Sequence, residues 1–169
     1  YFMEEDRLFP SNPYAASKAA AEMLVLSYNR TYGIDYVITR STNNYGPRQY
    51  NEKLIPKALY YITNNKKIPV HGDGSYQRDW LYVEDNVDAI FTIINKKIIN
   101  DIINIGANNH FTNLDVVKNL LQWCNNNSED LIAFVENRWG QDKRYAVDCT
   151  KMKQLGWKPK HEKGLYKWF

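Results

Sequence analysis

The sequence predicts an α/β fold, in which helices and β-strands alternate along the chain. A helical stretch from about residue 14 to residue 32 passes almost directly into a short β-rich run at residues 34–39. This is the order of the second half of a β-α-β unit. A polar loop, residues 40–48, follows that strand, and open α/β sheets bind ligands at the carboxyl ends of their strands. We therefore expect function to concentrate in this loop.

The first helix has clear signals at both ends. Ser11 and Asn12 are capping residues that precede Pro13, which suits the first helical turn, and Gly33 suits a left-handed C-terminal cap. Its polar side would carry Glu22 and Arg30. Its apolar side would be formed by Ala19, Ala20, Met23, Leu24 and Val25.

The same alternation continues through the rest of the sequence, with a turn at Gly72-Asp73-Gly74. Asn113 is expected to cap the fourth predicted helix. The remaining helices are predicted at residues 54–64, 84–97, 113–124 and 150–155, and the remaining strands at 68–71, 79–83, 102–105, 131–135 and 145–147.

Composition excludes several classes of protein. A chain of 169 residues is about one ordinary domain, and its 44% hydrophobic content is enough for a buried core, which excludes intrinsic disorder. The net charge is 22 − 19 = +3 with interspersed signs, which argues against a nucleic-acid partner. No apolar run approaches the roughly 18 residues of a membrane span, and no signal-peptide pattern opens the chain. We expect a soluble, cytoplasmic protein with no membrane partner.

The cysteines and histidines do not suggest a metal centre. Cys124 and Cys149 are too few for a disulfide framework. His71, His110 and His161 lie far apart, without the spacing typical of a metal site. We expect reduced thiols and no bound metal.

Tyr14 and Lys18 are the first candidate catalytic residues. They lie four residues apart, so on a helix they share one face. A nearby cation favours the phenolate, which would lower the pKa of Tyr14 from about 10 and make it a proton acceptor. With 13 tyrosines in the chain, about one such pair is expected by chance, so the spacing alone also fits a solvated helical pair.

Five blocks of sequence give this pair a context. They are SNPYAASKAAAEMLV from Ser11, NNYGPRQYNEKLIPKA from Asn43, IPVHGDGSYQRDWLYVEDN from Ile68, NIGANN from Asn104 and GQDKRYAVD from Gly140. In content and order they resemble the extended short-chain dehydrogenase/reductase family, and within it the nucleotide-diphosphate-glucose 4,6-dehydratases. The resemblance implies the C-terminal part of a Rossmann-type doubly wound sheet, interleaved with a small α/β substrate-binding domain.

The resemblance also implies catalytic and cofactor roles. Tyr14 would accept the proton of the sugar C4 hydroxyl, and Lys18 would hold the nicotinamide ribose of NAD and lower the tyrosine pKa. Asn44 would contact NAD, and Asn43 the substrate, since an amide can both donate and accept hydrogen bonds. Without the family, the two asparagines also fit a turn.

The substrate residues implied by the resemblance fall into three groups. Arg78 and Arg144 would clamp the diphosphate, because a planar guanidinium meets phosphate oxygens in a forked pair. His71 resembles the uridine-nucleotide branch, whereas thymidine-specific relatives often carry tyrosine, and both nucleotides stay open. The nucleotide base and sugar would be lined by Lys53, Leu54, Pro69, Val70 and His71, and the substrate side completed by Asn113, Asp142 and Tyr145.

Two family features are absent from this sequence. One is the glycine-rich turn that presents backbone N–H groups to a pyrophosphate; the other is the Asp-Glu pair that relatives carry about thirty residues before the tyrosine. Glu4, Glu5 and Asp6 lie too close to Tyr14 to replace that pair. We therefore expect the C-terminal half of such an enzyme, catalytically incomplete by itself. Rossmann elements would occupy residues 1–48 and 77–106, and the substrate domain residues 49–76 and 107–169.

For the intact enzyme the resemblance implies oxidation at C4, loss of water across C5 and C6, and return of hydride to C6. The product would be a 4-keto-6-deoxy sugar nucleotide, made by a homodimer with NAD as cofactor. An epimerase or decarboxylase of the same family is the first alternative. A sugar-nucleotide-binding module without catalysis is the second.

Overall fold

The computed structural model describes residues 1–126, 128–161 and 164–165 of the chain. It confirms an α/β architecture with parallel strand pairs. The helices are α1 (Pro13–Tyr32), α2 (Leu54–Thr63), α3 (Val83–Asn95), α4 (Asn113–Trp123) and α5 (Thr150–Gln154). The strands are β1 (Val37–Ser41), β2 (Asn43–Tyr45), β3 (Ile68–His71), β4 (Gln77–Tyr82), β5 (Asp101–Ile105), β6 (His110–Thr112), β7 (Ile132–Val135) and β8 (Arg144–Tyr145).

Helix α1 begins and ends where the sequence predicts. The Asn12 side chain accepts a hydrogen bond from the Ala15 backbone N–H at 2.9 Å, and Gly33 closes the helix with φ +67°. The side of α1 that the sequence predicts to be apolar is largely exposed: no residue of the helix is buried, and Met23 and Leu24 are 51% and 60% exposed.

Glu22 corrects the predicted polar side of the same helix. Its carboxylate meets the Arg40 guanidinium at 2.7 Å, and both side chains are largely buried. Arg40 also donates to the Glu4 carbonyl oxygen at 3.0 Å. Burying these charges requires such pairing, so Glu22 joins α1 to β1 instead of facing water.

The strands form three groups. β1 pairs with β5 in parallel, and β3 pairs with β7 in parallel. β4 lies between β2, which is parallel to it, and β6, which is antiparallel, and it also pairs with the short β8. β1 starts at Val37, later than predicted, and it is only half-buried because β5 is its one strand neighbour among the described residues.

Strand β4 separates two hydrophobic cores. Side chains alternate across a strand, so Trp80 and Tyr82 enter one core, with α2 and α4, while Leu81 enters the other, with α3 and β5. Met152 and Trp157 pack in the second core against Ile103 and Ile105. Residues 150–157 are therefore packed with the predicted Rossmann elements, although the proposed division assigns them to the substrate domain.

Three short features escape sequence analysis. Strands β2 and β6 have three residues each and lie in stretches that read as loops. The cap of α4 is Thr112 and not Asn113, because the Thr112 hydroxyl and the Asp115 carboxylate satisfy each other's backbone N–H groups.

Candidate functional site

A cleft of about 330 Å³ opens between the starts of α2 and α4, strands β3 and β4, and the segment after β7. It brings together residues more than ninety positions apart in the sequence. Its walls are formed by Asn43, Glu52, Lys53, Leu54, Lys57, Ala58, Ile68, Pro69, His71, Arg78, Trp80, Asn113, Arg138 and Gln141.

Seven of the predicted substrate residues line this cleft. The register of the sheet explains two of these positions, because Asn43 is paired with Trp80, and Arg78 lies two residues before Trp80 on the same face of β4. The other predicted residues come from helix starts and from β3. The seven are Asn43, Lys53, Leu54, Pro69, His71, Arg78 and Asn113.

Two predicted substrate residues lie elsewhere because of strand alternation. Val70 is 2% exposed in the first core, because its side chain lies on the face of β3 opposite to Pro69 and His71. Arg144 is paired with Gln77, so it lies on the face of the sheet opposite Arg78, and its guanidinium stacks 5.0 Å from the centre of the Tyr1 ring. The structure thus does not bring the second predicted clamp to the cleft.

Asp142 and Tyr145 lie near the cleft without lining it. Tyr145 is the register partner of Arg78 in β8, and burial raises the pKa of its phenol. The Asp142 carboxylate accepts a hydrogen bond from the Ser11 hydroxyl at 3.4 Å. Burial lowers the pKa of the Arg78 guanidinium, and the negative charge of Asp142 opposes that shift.

The charge of the cleft favours an anionic ligand. Its walls carry the cations Lys53, Lys57, Arg78 and Arg138 but a single carboxylate, that of Glu52. Arg78 is partly buried, so a bound anion would offset the cost of desolvating its charge. The start of α2, where no side chain caps the helix, adds backbone N–H groups that attract anions.

Trp80 provides a second feature that suits an anionic ligand. It lines the cleft, is 3% exposed, and its indole Nε1–H is buried with no hydrogen-bond partner among the described residues. A buried donor of this kind costs free energy until an acceptor meets it. The orphaned donor and the surplus of cations both fit an oxygen-rich anion.

Sequence analysis missed several cleft residues, of which Arg138 is the most important. It lies two positions before the recognised GQDKRYAVD block, and its closeness to that block is the only signal for it in the sequence. Gln141 lies inside the block, next to the predicted Asp142. The others missed are Glu52, Lys57, Ala58, Ile68 and Trp80.

The candidate catalytic helix, α1, is attached to the edge of this cleft by hydrogen bonds. The Gly140 carbonyl oxygen accepts hydrogen bonds from the Ser11 hydroxyl at 3.1 Å and from the Asn12 side-chain amide at 3.0 Å. Asn12 also caps α1, so the helix that carries Tyr14 and Lys18 is held against the segment between Arg138 and Gln141. Tyr14 is 75% exposed, and neither Tyr14 nor Lys18 has a side-chain hydrogen bond to another described residue.

Gly140→Ala is expected to destabilise the protein by roughly 1–3 kcal/mol. Gly140 has φ +68°, and a Cβ atom there would lie 2.9 Å from the Ser11 carbonyl oxygen. Gly33→Ala is the matched control, because Gly33 has φ +67° but no atom within 4 Å of its Cβ position. Denaturant unfolding of both variants checks this, and an equal loss would show that the contact with Ser11 carries no strain.

Asn44 has the free acceptor that a cofactor contact requires. Its Nδ2 donates to the Thr42 carbonyl oxygen at 3.2 Å, while its Oδ1 is buried with no partner among the described residues. An unpaired amide oxygen fits a ligand that presents an N–H group.

A second cleft, of about 380 Å³, lies between the end of β5 and α5 and contains none of the predicted site residues. Cys149 lines it, and burial raises the pKa of its thiol to about 12. The thiol is therefore protonated and unreactive near neutral pH.

Among the described residues no cluster of His, Cys, Asp and Glu could hold a metal ion, and no described helix is long and apolar enough to cross a membrane.

Three curated relatives match nearly the whole chain. The low-salt glycan biosynthesis protein Agl12 of Haloferax volcanii is 48% identical over 158 residues, which are 94% of this chain and 51% of Agl12. A dTDP-glucose 4,6-dehydratase of Haemophilus influenzae is 42% identical, over 99% of this chain and 54% of its own length. The trifunctional UDP-glucose 4,6-dehydratase RHM3 of Arabidopsis thaliana is also 42% identical, over 97% of this chain and 25% of its own length.

Two solved structures show the same fold. The dTDP-glucose 4,6-dehydratase of Bacillus anthracis, in complex with NAD, is 42% identical with a TM-score of 0.88, covering 95% of this chain and 51% of that one. DesIV, the dTDP-glucose 4,6-dehydratase of Streptomyces venezuelae with NAD and TYD bound, is 35% identical with a TM-score of 0.90, covering 94% and 49%. The chain spans about half the length of most of these relatives.

The fold and the site define a Rossmann-type α/β protein with a cationic cleft beside a Tyr-x-x-x-Lys helix. Residues 1–164 match the family model described as GDP-mannose 4,6 dehydratase. The chain belongs to that family.

Proposed function

We propose that the full-length protein that carries this chain is an NAD-dependent nucleoside-diphosphate-glucose 4,6-dehydratase. The observation that carries the proposal is the cationic cleft fastened to the helix of Tyr14 and Lys18. A nucleoside diphosphate suits the cleft, because four cations face one carboxylate there. The relatives with 42% identity that are named for dTDP-glucose and for UDP-glucose dehydration support the reaction class.

The roles proposed for the chain's own residues follow from their positions. Tyr14, exposed at the start of α1, would accept the proton of the sugar C4 hydroxyl, and Lys18 one turn later would stabilise its phenolate. The free Oδ1 of Asn44 would accept a hydrogen bond from the nicotinamide carboxamide. NAD, when bound, supplies the acceptance and return of hydride.

The nucleotide end of the substrate would lie in the cleft. Arg78 and Arg138 would contact the diphosphate, and Asn43 and Asn113 would meet sugar hydroxyls with their amides. Uridine and thymidine nucleotides both remain within the proposal, because relatives named for either are equally similar to this chain.

An assay with NAD and either UDP-glucose or dTDP-glucose tests the reaction class in the full-length protein. A dehydratase gives a keto product that has lost one water, which mass spectrometry detects. A 4-epimerase gives a product of unchanged mass. A decarboxylase reacts only when the sugar nucleotide carries a uronic acid, and it then releases carbon dioxide. Either of these reactions would replace the proposal with its first alternative. Nucleotide binding without turnover would support the second, a binding module.

The 169-residue chain alone is expected to give no keto product under the same conditions, since it has neither the glycine-rich turn nor the Asp-Glu pair of its relatives. Sustained turnover by the isolated chain would contradict this. We further propose that the full-length enzyme is a homodimer, which sedimentation equilibrium would test.

A further inference from the structure

Both ring nitrogens of His71 are already hydrogen-bonded within the protein. Nδ1 lies 2.9 Å from the Glu136 backbone carbonyl oxygen, which can only accept, so Nδ1 carries the proton. Nε2 lies 3.1 Å from Nε of Arg138, which can only donate, so Nε2 is the acceptor. The network thus assigns the neutral Nδ1–H tautomer. No donor or lone pair of the ring is left for a nucleotide base.

The hydrogen bond to His71 orients the side chain of Arg138. Arg138 is exposed at the cleft wall, and the only hydrogen bond of its guanidinium to another described residue is the one to His71. The cleft also contains Lys53, Lys57 and Arg78, whose charges oppose bringing a further cation close. A long exposed side chain in such a field needs an acceptor to keep one orientation.

The chemistry of that acceptor matters. A carboxylate would hold Arg138 more strongly, but it would also neutralise the charge that attracts an anion. A neutral imidazole orients the guanidinium and leaves its full charge and its four remaining N–H groups for the ligand. The backbone that carries the His71 ring is fixed, because His71 is paired with Val135 in the ladder of β3 and β7.

We propose that His71 is a positioning residue for Arg138 and does not read the nucleotide base. It acts as a neutral acceptor that holds the Arg138 guanidinium against the phosphate oxygens of a nucleoside diphosphate. This inference rests on the proposed function for the identity of the ligand.

Calorimetric titration of the full-length protein with uridine diphosphate and with thymidine diphosphate tests it. His71→Phe, which keeps a flat ring but has no acceptor, is expected to weaken both nucleotides by the same factor, about tenfold. His71→Gln, whose Oε1 can accept from Arg138, should stay within about threefold of the parent for both. In an Arg138→Ala background, His71→Phe should cause no further loss, since the group it positions is gone.

Arg138→Lys provides a second route if His71→Phe does not fold. Lysine keeps the charge but lacks the Nε–H that His71 accepts, and the variant leaves strand β3 unchanged. It should weaken both nucleotides about equally, and loss of affinity for only one of them would overturn the inference.

The outcomes separate this inference from the proposed function. A changed ratio of uridine to thymidine affinity in His71→Phe would show that His71 reads the base and would overturn the inference. Losses that multiply in the double variant would overturn it too. Failure of the parent protein to bind either nucleotide would instead overturn the proposed function.

Discussion

Tyr14→Phe in the full-length protein is expected to lower kcat by about 10²–10⁴-fold, the typical contribution of a positioned general base. The substitution removes one hydroxyl and keeps the ring, and Tyr14 has no side-chain hydrogen bond to another described residue that its loss would break. The affinity for the sugar nucleotide should therefore stay nearly unchanged. The change should appear in kcat and not in the dissociation constant.

Steady-state kinetics and calorimetric titration of the same variant check this result. Tyr32→Phe is the matched control, because Tyr32 lies exposed at the other end of the same helix, and its rate should equal that of the parent. A Tyr14→Phe enzyme that binds normally and keeps more than a tenth of the parent kcat would remove Tyr14 from the role of proton acceptor. Lys18→Met should in addition weaken the binding of NAD.

Arg78→Ala is expected to weaken binding of the nucleoside diphosphate by about 1.5–3 kcal/mol per charged hydrogen bond lost, which is roughly 10- to 150-fold. Arg78 is a partly buried cation of the cleft, on the same face of β4 as Trp80, so its charge is poorly screened by water. The affinity for NAD should change little.

Arg144→Ala tests the placement of the two arginines by the fold. Because its guanidinium lies over the Tyr1 ring on the opposite face of the sheet, its removal should cost nucleotide affinity much less than Arg78→Ala does. Titrations of both variants with uridine diphosphate decide the matter. Equal losses would mean that Arg144 leaves the Tyr1 ring and reaches the ligand.

Local sequence determined most of the secondary structure. Helix α1 begins after the Asn12 cap and ends at Gly33, and β3 occupies residues 68–71 as predicted, because caps, glycines and β-branched runs act over a few residues. The recognised blocks also predicted the family, which the match to residues 1–164 confirms. These signals lie within short continuous stretches of the chain, so one sequence is enough to interpret them.

Tertiary structure alone decided which side chains meet. Arg138 reaches the cleft and Arg144 does not, Val70 enters the core, and the His71 ring is occupied by residues 65 and 67 positions away. The physical reason is strand register: a shift of one residue moves every side chain of a strand to the other face, and register is set by partners far along the chain. The sequence by itself determined the helix of Tyr14 and Lys18 and its cap. The fold determined what that cap holds, the Gly140 carbonyl oxygen 128 residues away, and so joined the candidate catalytic helix to the cationic cleft.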